Sequence, residues 1–167
     1  FDVFKQKDGL VHNMVKSIAA DSSGNLWFAT IEGVSIFKQG MFVSLTKTDG
    51  LSDNAINDIL VDSQQRIWLA TEQGGINMID QGVLHVFDQK HGFPPHITTL
   101  HEDNDGRIWF GTYNNGIFLY ADNYLLNYTT AQGLADEHIR DMAGYKDELY
   151  VGSNSGLNII KADSILF

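Results

Sequence analysis

The chain has 167 residues, 43% of them hydrophobic, and a formal net charge of −10 from 11 Lys and Arg against 21 Asp and Glu. That length fits one domain with a sizeable core, and scattered basic residues argue against a nucleic-acid or anionic-membrane surface, which needs clustered Lys and Arg. Without Cys there is no disulfide framework or thiolate metal site, and no apolar run approaches the ~20 residues of a membrane span.

The chain opens on Phe1-Asp2-Val3-Phe4, an apolar stretch that reads as a strand. Asp8-Gly9-Leu10 and a short polar loop follow, then a strand over residues 15–20 and the turn Asp21-Ser22-Ser23-Gly24-Asn25. Such Asp, Asn and Gly clusters close hairpins through left-handed backbone and side-chain-to-backbone bonds. Leu26-Trp27-Phe28-Ala29-Thr30 reads as the second strand, Gly33 marks a turn, and 34–37 and 42–45 complete a group of four.

This group then repeats. Trp27, Trp68, Trp109 and Tyr150 lie 41 residues apart, preceded by Gly-Leu or Gly-Phe at 9, 50, 92 and 133 and followed by Ala-Thr, Gly-Thr or Gly-Ser. Inner strands are expected at 15–20, 56–61, 97–102 and 139–144, and third strands at 34–37, 76–79, 117–120 and 157–160. Fourth strands are expected at 42–45, 84–87 and 125–128, with Ile165-Leu166-Phe167 beginning a last one. Four short strands per ~40–45 residues, without helical periodicity, predict an all-β fold, a β-propeller of four consecutive four-stranded blades.

Residues 1–167 form one propeller segment, with blades at about 5–45, 46–87, 88–128 and 129–167 and residues 1–4 as the outer strand of a preceding blade. A fourth-type strand at both ends is one more than a self-contained ring needs. The segment closes as four blades, pairs with a second copy into eight, or belongs to a larger propeller, and the redundant strand favours the last. The start at Phe1 fits an excised or processed piece.

Gly50-Leu51-Ser52-Asp53-Asn54-Ala55-Ile56, then Ile67-Trp68-Leu69-Ala70-Thr71 and Gly74-Gly75-Ile76, resemble the two-component regulator propeller family. The resemblance covers essentially all of the chain. The last repeat departs from it, with Tyr150 for Trp, Ser153 for Thr and no Asp at the usual place in its hairpin, and the third has Pro94-Pro95 in a loop one residue shorter. The resemblance implies an extracytoplasmic sensing segment, periplasmic or extracellular, of a membrane-anchored bacterial signalling protein whose outputs include histidine kinases and cyclic-dinucleotide enzymes. It also implies an oligosaccharide or other small ligand.

The recurring Trp and Thr read as fold-making residues, buried between blades or bonded locally. Asp103-Asn104-Asp105-Gly106 resembles the start of a calcium loop, but its twelfth position is Asn114 rather than Glu, so a hairpin turn is expected. The six His show no paired metal spacing and no nucleophile elbow is present, so neither metal nor cofactor is expected and no catalysis in this segment. Alternatives are a protein–protein scaffold and, further off, a fragment of a propeller lyase or hydrolase.

Function is expected in loops. The loop leading into each inner strand and the loop joining the second and third strands are expected on one face. The first set holds His12, Asn13, Asp53, Asn54, His96, Glu137 and His138, and the second Glu32, Gln73, Tyr113, Asn114 and Asn154. Polar and aromatic, and different from blade to blade, they suit sugar hydroxyls and ring stacking. The inner strands also carry the pairs Lys16-Ser17, Asn57-Asp58, Thr98-Thr99 and Arg140-Asp141. Strict alternation predicts that one residue of each pair faces the central channel.

Overall fold

Each 41-residue repeat becomes one antiparallel sheet whose strands follow chain order. The computed structural model describes residues 1–161. Blade 1 holds β1 (Val15–Ala20), β2 (Leu26–Thr30), β3 (Gly33–Lys38) and β4 (Met41–Leu45). Blade 2 holds β5 (Ile56–Val61), β6 (Ile67–Thr71), β7 (Ile76–Asp80) and β8 (Val83–Phe87). Blade 3 holds β9 (Ile97–Glu102), β10 (Ile108–Thr112), β11 (Ile117–Ala121) and β12 (Tyr124–Tyr128). Blade 4 holds β13 (Ile139–Tyr145), β14 (Glu148–Ser153) and β15 (Gly156–Lys161). The strand expected at Ile165–Phe167 lies outside the described residues.

The chain divides into two compact units, Phe1–Pro95 and His96–Phe167. In the first, Trp27, Ala29 and Val34 of blade 1 form one buried core with Ile56, Ile59, Ile67 and Leu69 of blade 2. In the second, Trp109, Ile117 and Leu119 of blade 3 do the same with Ile139, Met142, Leu149 and Val151 of blade 4. Period-2 alternation gives each sheet two apolar faces, and within each unit the two blades bury one face of each against the other.

A 3-10 turn that sequence patterning does not reveal opens every blade: Gln6–Asp8, Lys47–Asp49, Gln89–His91 and Thr130–Gln132. The side chains of Thr46, Asp88 and Thr129 cap three of them by accepting from the amides of Thr48, Lys90 and Ala131. Each ends at a Gly with φ between 83° and 111°, in the left-handed region that favours glycine. The next residue, Leu10, Leu51, Phe93 or Leu134, is buried. The recurring Gly-Leu is therefore a turn terminator followed by a hydrophobic plug.

Residues 1–4 pair with no strand among the described residues. The Phe4 ring instead packs on Phe37 and Phe42, at centroid distances of 6.0 and 5.6 Å. Strict alternation also fails in the inner strands, where register slips by one residue at 15/17, 56/58, 97/99 and 139/141. A bulge of this kind leaves an extra residue, so in blade 1 both members of the pair find polar partners. Lys16 Nζ donates to Asn57 Oδ1, and Ser17 Oγ to Asp58 Oδ1, both at 2.7 Å.

Candidate functional site

In blades 1, 2 and 3 the Asp of the hairpin turn organises the blade. The Asp62 carboxylate accepts from the amides of Gln64 and Arg66, the Arg66 side chain and the Trp68 indole. Asp21 and Asp103 repeat the pattern, with indole bonds from Trp27 and Trp109 of 3.0 and 2.7 Å. Burial pushes the Asp103 carboxyl up, but bonds from Trp109 and Arg107 and the Arg107 charge outweigh that and hold it below its usual value. In blade 4 the set changes together: Tyr145, Glu148 and Tyr150 stand where blade 3 has Asp103, Arg107 and Trp109, and the Tyr150 hydroxyl donates to Glu148. Beside them a cavity of about 80 Å³ opens, bordered by His101, Trp109, Gly144 and Ile160.

At the opposite end of each sheet, both loop sets meet. The amides of Glu72, Tyr113 and Asn154 donate to the carbonyls of Ala55, His96 and His138. In blades 2, 3 and 4 the loop before the inner strand is therefore stitched to the loop between the second and third strands. A polar residue on the third strand secures the first loop: Ser35 accepts from the Val11 amide, Asn77 from Ser52 and Asn158 from Ala135. Blade 3 has Pro94 at that donor position and Phe118 at that acceptor position. Proline has no N–H to give, and Phe118 stacks on Phe110 instead, with 2° between the ring planes.

The candidate residues divide by what they touch. Asn13, Asn54 and Glu137 are repeat equivalents that hold the preceding 3-10 turn, accepting from the Gln6 amide, the Lys47 amide and the Thr130 hydroxyl. His12 accepts from the Met14 amide through Nδ1. Asp53 joins its two loops by accepting from the amides of Asn54 and Gln73. Glu32 and Asn114 are exposed, and Asn154 Oδ1 accepts from Arg140 Nε at 2.7 Å.

His96, Tyr113 and His138 come together in the second unit. The Tyr113 ring lies 3.9 Å from the His138 ring at 59° and 6.2 Å from that of His96. Tyr113 is 47% exposed, and His138 Nε2 is buried without a hydrogen-bond partner. Two residues absent from the expected set belong here. Arg140 reaches Asn154, and Asp136 accepts from the Ser155 hydroxyl and the His138 amide, which hold its carboxyl below the usual range. Asp136 was findable by periodicity, since it follows Gly133 by three residues as Asp53 follows Gly50. In the first unit a cleft of about 460 Å³ lies beside Gln73, bordered by Ser52, Asp88, Lys90 and Pro95.

This surface offers amide, carboxylate, imidazole and phenol groups around an exposed ring, a set suited to binding polar ligands. No group of three His, Cys, Asp or Glu among the described residues is arranged to hold a metal.

Residues 9–32, 50–73 and 92–114 match the family described as two component regulator propeller. The chain is a β-propeller segment, and three of its repeats match the two-component regulator propeller family. Among solved structures it is similar to one described as the extracellular domain of a hybrid two-component system from B. thetaiotaomicron. The identity is 28% and the TM-score 0.87, over 98% of this chain and 24% of that one. The extracellular domain of a one-component system from the same organism matches at 23% identity and TM-score 0.72, over 91% of this chain and 26% of that one. A virginiamycin B lyase from Staphylococcus aureus matches at 14% identity and TM-score 0.69, over 90% and 56%. The last two likenesses concern the fold alone. The chain spans about a quarter of the length of the B. thetaiotaomicron domains. A comparison with curated proteins finds no match. No helix among the described residues is long and apolar enough to cross a membrane.

Proposed function

We propose that this chain is a non-catalytic ligand-binding segment of the extracytoplasmic sensor domain of a membrane-anchored bacterial signalling protein, facing the periplasm and binding a carbohydrate. The observation that carries this reading is the group formed by His96, Tyr113 and His138. A half-exposed phenol ring beside two imidazoles, with Asn114, Asn154 and Arg140 on neighbouring loops and strand, matches what a sugar presents: an apolar ring face and a rim of hydroxyls. The likeness to extracellular domains of two-component systems supports the setting.

Binding of this kind acts by differential affinity, since a ligand shifts a conformational equilibrium only so far as it prefers one state. A sugar touching Tyr113 of blade 3 and His138 of blade 4 favours one arrangement of those two blades, and the surrounding sensor reads that preference. The test is a thermal-shift screen of oligosaccharides of different linkage and charge. At 100 times its dissociation constant a cognate sugar stabilises by about 2.7 kcal/mol, and Tyr113→Ala removes that response. The absence of a shift with every sugar class overturns the carbohydrate reading.

A further inference from the structure

We infer that Asn115 is a site of spontaneous covalent modification, the loss of its side-chain nitrogen as ammonia through a cyclic imide, and that blade 4 restrains this reaction in the folded chain. Among the Asn of the chain only Asn115 is followed by Gly. The reaction begins when the amide nitrogen of the following residue attacks the side-chain carbonyl carbon, Cγ. A side chain on that residue crowds the approach, and Gly, without a Cβ, does not. The fold is what requires Gly here. Gly116 has φ 70°, and a Cβ at this position would run into the Tyr128 carbonyl oxygen. Each blade has a Gly at the equivalent place, its carbonyl accepting from the hydroxyl of Thr30, Thr71, Thr112 or Ser153. Gly33, Gly75 and Gly156 follow Glu32, Gly74 and Ser155, so blade 3 alone joins this Gly to an Asn.

Base removes the Gly116 amide proton and the nitrogen forms a bond to Asn115 Cγ. The bond from Cγ to the side-chain nitrogen breaks, and ammonia leaves with a proton. The cyclic imide then takes up one water at either carbonyl carbon, giving Asp or its isomer with the main chain running through Cγ. Nothing is oxidised or reduced. Asn115 is exposed to that water, but the structure restrains the first step. The Gly116 amide donates to the Glu137 carbonyl at 3.0 Å, a bond from blade 3 to the loop that enters blade 4. The Asn115 amide donates to the Thr112 hydroxyl, and its carbonyl accepts from the Asn127 side chain. An amide held in this way gives up its proton only when the surrounding structure opens. Opening here separates the blade 3 loop from blade 4, whose Met142 and Leu149 share a core with Trp109 and Ile117. Conversion leaves a new carboxylate two residues from Tyr113, within the candidate binding face.

Peptide mapping by mass spectrometry, following amide-to-acid conversion at every Asn over time in mildly alkaline buffer, tests this in two states. In concentrated urea Asn115 is expected to convert first. In the folded chain its conversion is expected to be slower by more than about tenfold, because the loop must open before it reacts. Met142→Ala loosens the contact between blades 3 and 4 and should raise the folded rate several-fold while leaving the urea rate unchanged. Circular dichroism reports whether that variant keeps the β signature, and Leu149→Val is the milder substitute if it does not. Asn115→Ser, the residue type at the equivalent place in blade 4, should remove the main release of ammonia. Conversion in urea spread evenly over the Asn residues overturns the assignment of the site. A folded rate equal to the urea rate, or one that the loosening variant leaves unchanged, overturns the restraint by blade 4.

Discussion

The Asp that opens the hairpin of blades 1, 2 and 3 does more for the blade than its place in a turn suggests. One carboxylate at Asp103 accepts from two backbone amides, the Arg107 side chain and the Trp109 indole. Replacing it with Asn puts an amide N–H against donors, leaving the nearly buried indole N–H and the guanidinium short of an acceptor. The expected loss for Asp103→Asn is about 2 kcal/mol at neutral pH, read from urea unfolding. Its carboxyl lies below the usual carboxylate value in the folded state. It therefore contributes stability that is present above the unfolded pKa, near 3.9, and is lost as pH falls through the folded one. The variant should accordingly show a flatter decline in stability on acidification than the wild type.

Among elements, the strands were legible and the devices that position them were not. Leu26-Trp27-Phe28-Ala29-Thr30 recurring every 41 residues marks a strand because alternation and aromatic content are local properties. The 3-10 turn at Lys47–Asp49 has three residues, too few to show a period, and depends on Thr46 folding back as a cap. The inner-strand bulges are invisible for a different reason: Lys16 and Ser17 read as ordinary alternating residues until the register with β2 is known. The turn glycines separate in the same way. Gly75 and Gly92 both adopt positive φ, 78° and 83°, but a Cβ on Gly75 would lie 2.2 Å from the Phe87 carbonyl oxygen, while one on Gly92 meets nothing within 4 Å. Gly92→Ala should cost only the left-handed strain, about 1–2 kcal/mol. Gly75→Ala adds a backbone clash and should lose at least about 3 kcal/mol, both measured as shifts in the urea midpoint at constant slope.

Across the molecule, the sequence identifies polar loop residues but not how they group. His96, Tyr113 and His138 were separate members of a twelve-residue set; their association depends on blade 3 packing against blade 4, through Trp109 and Ile117 on one side and Met142 and Leu149 on the other. Conversely, Asn13, Asn54 and Glu137 look variable and polar for a structural reason, since either an amide or a carboxylate can accept the bond that closes a 3-10 turn. The most direct test of a ligand-binding loop face is amide chemical-shift mapping of the 15N-labelled chain during titration with the most stabilising oligosaccharide. The account predicts that the largest shifts cluster at residues 96, 113–114, 137–140 and 154. Shifts concentrated at the hairpin end around 103–107 and 144–148, or no saturable shift at all, would contradict it.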